Sequence, residues 1–511
     1  MSHNLYFALH GHFYQPPREN PWTGEIDQQE SAIPYHDWNE RIYHECYLPN
    51  TQAPIFNDQG EAVKAINNFT KISFNIGPTL FSWLAEKHPD AYQAIIEADR
   101  LSVTQHAGHG NAIAQVYNHM IMPLARRRDQ VTQVKWGIYE FKHRFGRDPE
   151  GIWLPETACN QETVEVLIEE EIKFTILSPH QAESVRSLSG KDWNVVSPGT
   201  LDTKFPYRCF SEKNPEQFLD IFFYDGLIAK NVAFGNLAYE AKGFADSLEQ
   251  AKLKDQRRAQ LIHVATDGET FGHHKAFGER ALAYLMETEA PKRGFQIVNY
   301  GEFLKKHSPR FAVRVKKGPD GHGTSWSCAH GVGRWKEDCG CQVNAPSGWK
   351  QSWRKPLREA LNWLRDELNY VFEVYGNCYF ENAWFARDEY IAVILDGSEP
   401  NVLDFMDRHA KKAPFEKFEV HLCLKLLEMA RHSMLMFTSC GWFFNDISGI
   451  ETTQILRYAA RAIQLAEEIT HRSLEPQFLQ RLAKARSNVS ELRDGRKVYE
   501  RFVRPSMVGK P

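Results

Sequence analysis

The chain has 511 residues, of which 42% are hydrophobic and 25% charged, and this length allows two or three domains with a large buried core. No apolar run approaches the ~18 to 20 residues of a membrane helix, which excludes an integral membrane protein. Lys and Arg number 61 against 65 Asp and Glu, so the formal net charge of −4 gives no general attraction to nucleic acid. We therefore predict neither a membrane nor a nucleic-acid partner.

The N-terminal sequence and the cysteine content both suggest a reducing compartment. MSHNLYFALHGHFYQPP lacks the charged and apolar segments of a secretory signal, so we expect the mature chain to begin here. Nine cysteines are an odd number spread over a long chain, which favours reduced thiols over a disulfide framework. We predict a cytoplasmic protein.

Short apolar runs alternate with helix-like segments over the first 300 residues. Eight runs have the β-branched and aromatic content of strands, namely 5–10, 71–74, 101–105, 151–154, 174–177, 220–224, 260–265 and 295–298. Residues 78–87 and 163–171 repeat their apolar side chains with the period of a helix. Buried parallel strands joined by helices, an α/β fold, explain this alternation.

Polar residues follow these strands at their C-terminal ends. They are His10 and His12, His106 and His109, Glu156, Asp225, and Asp267 with Glu269. In α/β barrels the loops after the strands converge on one face and build the active site there. The repeated placement predicts a barrel with its site at that end.

The second part of the chain has a different character. Residues 311–351 are rich in Gly, Trp and Cys with little periodicity, which indicates a long ordered loop. Apolar residues then recur every three or four positions in 357–375, 421–436 and 451–469, which predicts helices packed as a bundle. We predict a catalytic domain over 1–310, a Trp- and Cys-rich loop over 311–351, and an α-helical domain over 352–511.

The loop contains four soft metal ligands within 14 positions: Cys328, His330, Cys339 and Cys341. Zinc is conceivable from the residue types, but Cys-x-Cys lacks the spacing of a CxxC knuckle and its usual partner pair. We therefore interpret this segment as a structural loop of reduced thiols and predict no metal or cofactor.

Three motifs contain the residues best suited to chemistry. HGHFYQPP places two histidines on one side of a strand end, where they can bind a metal or sugar hydroxyls, although ordinary loop residues share this spacing. WLPETA and HVATDGETFGHH supply Glu156 and Asp267, two carboxylates that could face one cleft. Such a pair is the minimum for glycosidic bond chemistry, but with the histidines it also fits metal-assisted hydrolysis. The residue types leave both open.

The motifs resemble those of glycoside hydrolase family 57, retaining α-glucan enzymes that include glucanotransferases, amylopullulanases and branching enzymes. HGHFYQP is similar to the family's opening HxHQP motif, WLPE to the nucleophile segment, and DGETFGHH to the acid/base segment. HAGHGNAI is similar to a THGY-type segment, and Trp326 and Trp335 to a substrate-binding loop. Branching-type members are the nearest in sequence, but His274 and Asn111 stand where those enzymes have Trp and an aromatic residue. These departures indicate a separate branch.

The resemblance implies a distorted (β/α)7 barrel followed by a helical domain, and a retaining hydrolase or glucanotransferase acting on α-glucans or oligosaccharides. Glu156 would be the nucleophile and Asp267 the general acid/base, with carboxyl groups about 5 to 5.5 Å apart. The implied substrate contacts are His10, His12, Gln15, His109, Trp153, Asp225, Glu269, His273, Trp326 and Trp335. The alternatives are a metal-dependent carbohydrate hydrolase or deacetylase on a related barrel, and a glucan-binding protein, against which the two carboxylates argue.

Overall fold

A computed structural model describes residues 4–57, 59–255, 258–411 and 416–508. The strands are β1 Leu5–Phe13, β2 Ala53–Phe56, β3 Ala62–Ile66, β4 Ser73–Ile76, β5 Ala114–Gln115, β6 Gly151–Trp153, β7 Phe174–Leu177, β8 Ala182–Ser187, β9 Asn194–Val195, β10 Tyr207–Phe210, β11 Phe218–Phe223, β12 Gln260–Asp267, β13 Gln296–Ile297 and β14 Phe311–Val315. The helices are α1 Trp38–Ile42, α2 Leu48–Thr51, α3 Pro78–Lys87, α4 Pro89–Gln105, α5 Arg127–Phe145, α6 Gln161–Glu169, α7 Gly226–Phe234, α8 Ala241–Gln250, α9 Gly278–Tyr284, α10 Ala290–Lys292, α11 Tyr300–Lys306, α12 Arg354–Tyr379, α13 Ala383–Glu389, α14 Ile391–Leu395, α15 Glu399–His409, α16 Lys417–Leu435, α17 Cys440–Phe443, α18 Ile450–Thr470, α19 Glu475–Leu482 and α20 Gly495–Val498.

Strand β1 lies at the centre of a parallel sheet and carries the first predicted motif. It pairs with β12 on one side and with β4 on the other, so that His12 is opposite both Asp267 and Asn75. The strands are almost wholly buried, in keeping with their continuous apolar sequences. The parallel register brings polar residues from three strands to the same C-terminal edge.

The remaining parallel strands continue this circuit. An isolated bridge between Phe74 and Ala112 leads from β4 to the segment that enters β5, and β6, β7 and β11 follow as parallel neighbours. The amide of Asp225, just beyond β11, donates a hydrogen bond of 2.9 Å to the His263 carbonyl of β12. Seven parallel strands thus follow one another, with one bridge and one hydrogen bond in place of two ladders. The predicted α/β class is confirmed, while the closure of these strands into a (β/α)7 barrel stays a prediction.

Residues 101–105, predicted as a strand, form the last turns of α4, so that prediction is wrong. The buried positions Ile95, Ala98, Asp99 and Ser102 recur every three or four residues, which is the pattern of a helix face. The five-residue run LSVTQ is too short to reveal that period. The predicted strand at 295–298 shortens to β13, and the other six overlap observed strands.

The chain divides into two compact units, each built from separate stretches. The first unit consists of the chain up to Gln15 with 28–115 and 141–317, and contains all the strands among the residues that the structure describes. The second consists of 16–27, 116–140 and the chain from Gly318 onward, with α12, α16 and α18 packed together. The helical character predicted beyond 352 is confirmed, whereas the boundaries at 310 and 351 stay predictions. Within the described residues, no helix is long and apolar enough to cross a membrane.

Candidate active site

Glu156 lies in a short turn, Pro155–Thr157, directly after β6. Glu156 (φ 57°, ψ 21°) and Thr157 (φ 49°) both have left-handed backbones, which cost residues with side chains about 1 to 3 kcal/mol each. The buried Gln181 holds the turn: its Oε1 accepts from the Thr157 hydroxyl and its Nε2 donates to the Thr157 carbonyl, both at 2.8 Å. The backbone at Glu156 is therefore fixed in a strained conformation of the kind that recurs at functional sites.

Asp267, the last residue of β12, is the second carboxyl at this edge. Its side chain is accessible to solvent yet closely surrounded by protein. Desolvation by the surrounding protein, together with the charges of Glu269 and Glu156, raises the pKa of Asp267 well above its ordinary value. Glu156 thus acts on Asp267 electrostatically, and Asp267 keeps its proton to higher pH than a free carboxyl would.

Glu269, two residues further, is fully enclosed. It accepts hydrogen bonds from the Tyr14 amide (2.9 Å) and the Tyr47 hydroxyl (2.7 Å). Burial raises the pKa of Glu269 to about 7, while these donors pull it down. The turn approaches residues 43–47 closely, because Gly272 (φ 135°) lies where a Cβ would be 2.2 Å from the Glu45 carbonyl oxygen. Glycine is required at that position.

His10 and His12 belong to a buried hydrogen-bond network on β1 and β4. His10 contacts the Ser73 hydroxyl (3.1 Å) and the Asn75 side-chain oxygen (3.0 Å), while the Asn75 amide lies 2.9 Å from His12 Nδ1 and 2.7 Å from the Gln115 oxygen. Desolvation by burial lowers the pKa of both histidines to about 3. Both rings are therefore neutral, with the tautomers set by Asn75.

Trp153 supports this network as an inner wall. Its ring stacks on His10 with centroids 4.8 Å apart and on His12 at 5.1 Å, and the side chain has no exposed surface. Tyr14 stacks on His12 at 5.7 Å. The structure brings His10, His12 and Trp153 together, but Trp153 and His10 lie behind the site as support.

His109 lies at the opposite end of the sheet from the carboxyl pair. Its Nδ1 is 2.7 Å from Glu150, the residue before β6, whereas Glu156 follows that strand. Asn299 donates to the His109 carbonyl at 2.8 Å. Because His109 follows a helix instead of the expected strand, it does not reach the C-terminal edge where we expected it.

Three other predicted contacts of the first unit have local partners. The Asp225 carboxylate accepts from the Leu227 and Ile228 amides, so it caps α7. His273 hydrogen-bonds to Glu45 through Nδ1, which ties the turn after β12 to residues 43–47. Gln15 is buried and donates to the Tyr14 carbonyl at 3.1 Å.

The two loop tryptophans lie in the second unit, in different surroundings. Trp335 is fully buried, and its indole N–H donates to the Ser439 carbonyl at 3.1 Å. A ring so enclosed has no face for a sugar in this conformation. Trp326 is half-buried.

Several residues near the C-terminal edge of the sheet were not predicted from the sequence. Burial, together with the charge of Asp267, raises the pKa of the Tyr224 hydroxyl to about 12. Asn75 and Tyr224 each lie at the end of an apolar run, a signal that could have marked them. Tyr47 and Gln181 carry no such signal, because each is brought to the site from a distant segment.

Side chains that could bind a metal converge in the second unit. Within the part of the chain that the structure describes, three or more His, Cys, Asp or Glu ligand atoms converge at one place only, formed by Cys328, His330, Cys339 and Cys341 in the second unit. The carboxyl pair and the histidines of β1 form no such group.

The sequence is similar to those of known proteins. A profile described as "Glycosyl hydrolase family 57" matches residues 5–316, and "Domain of unknown function (DUF3536)" matches residues 349–511. The 4-alpha-glucanotransferase of Thermococcus litoralis is 20% identical over 321 residues, which are 61% of this chain and 40% of that protein. The chain spans less than half the length of the curated relatives it matches.

Solved structures share the fold. An exo-type maltose-forming amylase from Pyrococcus sp. ST04 has a TM-score of 0.70 at 15% identity, covering 98% of this chain and 93% of that one. A GH57-type branching enzyme from Pyrococcus horikoshii has a TM-score of 0.55 at 15% identity, covering 99% and 96%. At such identities the similarity establishes the fold, including the helical C-terminal part.

Proposed function

The chain belongs to glycosyl hydrolase family 57, and from that premise we propose that it cleaves or transfers α-glucan chains through a covalent glycosyl-enzyme. The observation that carries this proposal is the carboxyl pair. One carboxyl, Glu156, is fixed on a strained turn, and the pKa of the other, Asp267, is raised by desolvation and by the charges of Glu269 and Glu156. Two carboxyls in such unequal environments are suited to the roles of nucleophile and acid.

The proposed reaction has two steps with retention of configuration. Glu156 attacks the anomeric carbon while Asp267 gives its proton to the departing glycosidic oxygen, leaving a glycosyl ester on Glu156. Asp267, now ionised, takes a proton from water or from a sugar hydroxyl, which displaces Glu156. Water gives hydrolysis, and a sugar gives transfer.

The neighbouring residues have positioning roles in this proposal. Glu269 keeps the pKa of Asp267 high through its charge, and His273 anchors the turn that carries both. His12, neutral and in register with Asp267, is the histidine of β1 we assign to a sugar hydroxyl. Trp326 stays a predicted stacking contact.

An α-glucan substrate is proposed from the relatives. Their names describe a 4-alpha-glucanotransferase, a maltose-forming amylase and a branching enzyme. The alternative, a metal-dependent hydrolase or deacetylase, needs several ligands at the reacting centre. Among the described residues, ligand atoms of this kind converge at Cys328, His330, Cys339 and Cys341, and the carboxyl pair belongs to no such group.

The test is product analysis on amylose, glycogen and malto-oligosaccharides with wild type, Glu156→Gln, Asp267→Asn and the exposed control Glu216→Gln. We expect wild type and the control to change chain length or branching, and both site variants to fail. A brief EDTA treatment should leave the activity, with thermal unfolding of the same sample showing that the fold is intact. Activity that needs an added divalent metal in a folded sample would contradict the proposal.

A further inference from the structure

The geometry points to a structural zinc ion bound by Cys328, His330, Cys339 and Cys341, which we call the thiol cluster. All four residues lie in the second unit, and their ligand atoms are within 4.8 Å of one another. This inference is independent of the proposed catalytic function.

The distances between ligand atoms match the edges of a zinc tetrahedron. Cys328 Sγ lies 3.9 Å from Cys339 Sγ and 3.8 Å from Cys341 Sγ, and Cys341 Sγ lies 3.6 Å from His330 Nδ1. Zinc–sulfur bonds of about 2.3 Å and zinc–nitrogen bonds of about 2.0 to 2.1 Å give tetrahedral edges of about 3.8 Å and 3.6 Å. A disulfide would need about 2.05 Å, so these sulfurs are not bonded to one another.

The chemistry of the ligands selects the metal. Three thiolates and one imidazole are a common set for structural zinc, and they do not suit calcium or magnesium, which prefer oxygen. Four protein ligands fill a tetrahedral shell and leave no position for substrate or reactive water. The site is therefore structural and not catalytic.

The surrounding charges favour an anionic centre. Zinc with three thiolates and a neutral imidazole has a net charge of −1, because binding releases three thiol protons. Arg354, with no exposed surface, places its guanidinium 4.0 Å from Cys339 Sγ and donates to the Cys341 carbonyl at 2.8 Å. Arg334 is also buried and contacts the Phe443 carbonyl at 3.3 Å.

Neither arginine pairs with a carboxylate among the residues that the structure describes. A buried guanidinium without a counter-charge is costly. The zinc-thiolate centre supplies the missing negative charge beside Arg354.

The fold also explains why this loop gains from a cross-link. Between β14 and α12, all of which the structure describes, the only helix is the short 3-10 helix Gly333–Trp335, and there is no strand. Val343 exchanges two backbone hydrogen bonds with the Asn445 side chain, of 2.8 and 2.5 Å. Zinc would join both ends of the loop 328–341 at a point already tied to α12 through Arg354.

The spacing of these residues in the sequence argued against zinc because it differs from the spacing of CxxC zinc knuckles. The first half of the ligand set is Cys328-x-His330, and the second is Cys339-x-Cys341. The turn at 333–335 folds one pair onto the other, and the sequence does not show that reversal.

The test is metal analysis of the purified full-length chain, reduced and then dialysed against excess Zn²⁺ and metal-free buffer. We expect one zinc per chain, released to a chromogenic indicator as an organomercurial reagent blocks three thiols. Cobalt in place of zinc should show the d–d bands of a tetrahedral site together with thiolate-to-cobalt charge transfer.

Variants locate the ion. Cys339→Ser and Cys341→Ser should lose the zinc, His330→Cys should retain it as a four-thiolate site, and the exposed control Cys378→Ser should retain it fully. Wild type that binds no zinc, or that forms a disulfide within the cluster in its place, would overturn the inference. Zinc that persists in both Ser variants would also overturn it.

Discussion

The two clusters of ionisable side chains discussed above differ in charge balance: one brings like charges together, and the other pairs opposite charges. At the edge of the sheet, Glu156, Asp267 and Glu269 bring like charges together, and desolvation and these charges both raise the pKa of Asp267. In the thiol cluster, a buried cation lies against groups that become anionic on binding metal. In the proposed function, the uncompensated charge of the first cluster suits it to acid catalysis, whereas the balanced charge of the second suits it to stabilising the fold.

The largest expected effect is a loss of kcat when Asp267, a member of the first cluster, is replaced. Asp267→Asn should lower kcat on α-glucans by about 10²- to 10⁴-fold, because the leaving oxygen loses its acid. With α-glucosyl fluoride, whose fluoride needs little protonation, the first step should be far less affected. Steady-state and burst kinetics on both substrates check this, and an equal loss on both would contradict an acid role.

A second change relaxes the strained turn while leaving both carboxyls in place. Gln181→Met removes the two hydrogen bonds that hold Thr157, and a displaced Glu156 should lower kcat by up to about 100-fold. Unfolding free energy should fall by about 1 to 3 kcal/mol. Gln260→Met, another buried glutamine in the same unit, is the control for stability, and an equal loss of kcat there would refute a specific role.

The thiol cluster should bind zinc more weakly when the neighbouring Arg354 is replaced. Arg354→Gln removes the charge beside Cys339, so zinc affinity should weaken about 10- to 100-fold. Competition with a chromogenic chelator measures this. Arg365→Gln, on the same helix, is the control, since its partners are Asp366 and Asn362. Unchanged affinity in Arg354→Gln would remove the charge-balance argument.

The smallest effect concerns pH. The first step needs protonated Asp267, so kcat/KM should fall as pH rises through the pKa of that group. Glu269→Gln removes a charge that raises this pKa, and the basic limb should therefore move to lower pH by about one unit. Glu279→Gln, a buried carboxyl that does not act on Asp267, should leave the limb in place. A shift to higher pH would contradict the assignment.

Much of the sheet could be predicted from the sequence, because buried parallel strands are short apolar runs followed by polar residues. The positions of Glu156 and Asp267 at the C-terminal ends of β6 and β12 agree with this pattern, and their catalytic roles stay predictions. His109 was misplaced because five residues of α4 imitate a strand, and one helical turn is too short to show its period. Tyr47 and Gln181 could not be predicted, because contacts across long sequence separations leave no local pattern.

The thiol cluster also could be predicted only in part from the sequence. Its four ligands were recognised by residue type, but their convergence depends on the turn at 333–335 and on Arg354, a residue of the following helix. The spacing of the ligands along the chain reveals neither the turn nor the contact with Arg354.

The most direct test of the central claim is to trap the glycosyl-enzyme. A slowly turned-over 5-fluoro-α-glucosyl fluoride should leave a glycosyl ester that intact-protein mass spectrometry detects and peptide mapping assigns to Glu156. We predict a single adduct in wild type and none in Glu156→Gln. A turning-over enzyme that forms no adduct, or one whose adduct lies on another residue, would contradict the claim that Glu156 is the nucleophile.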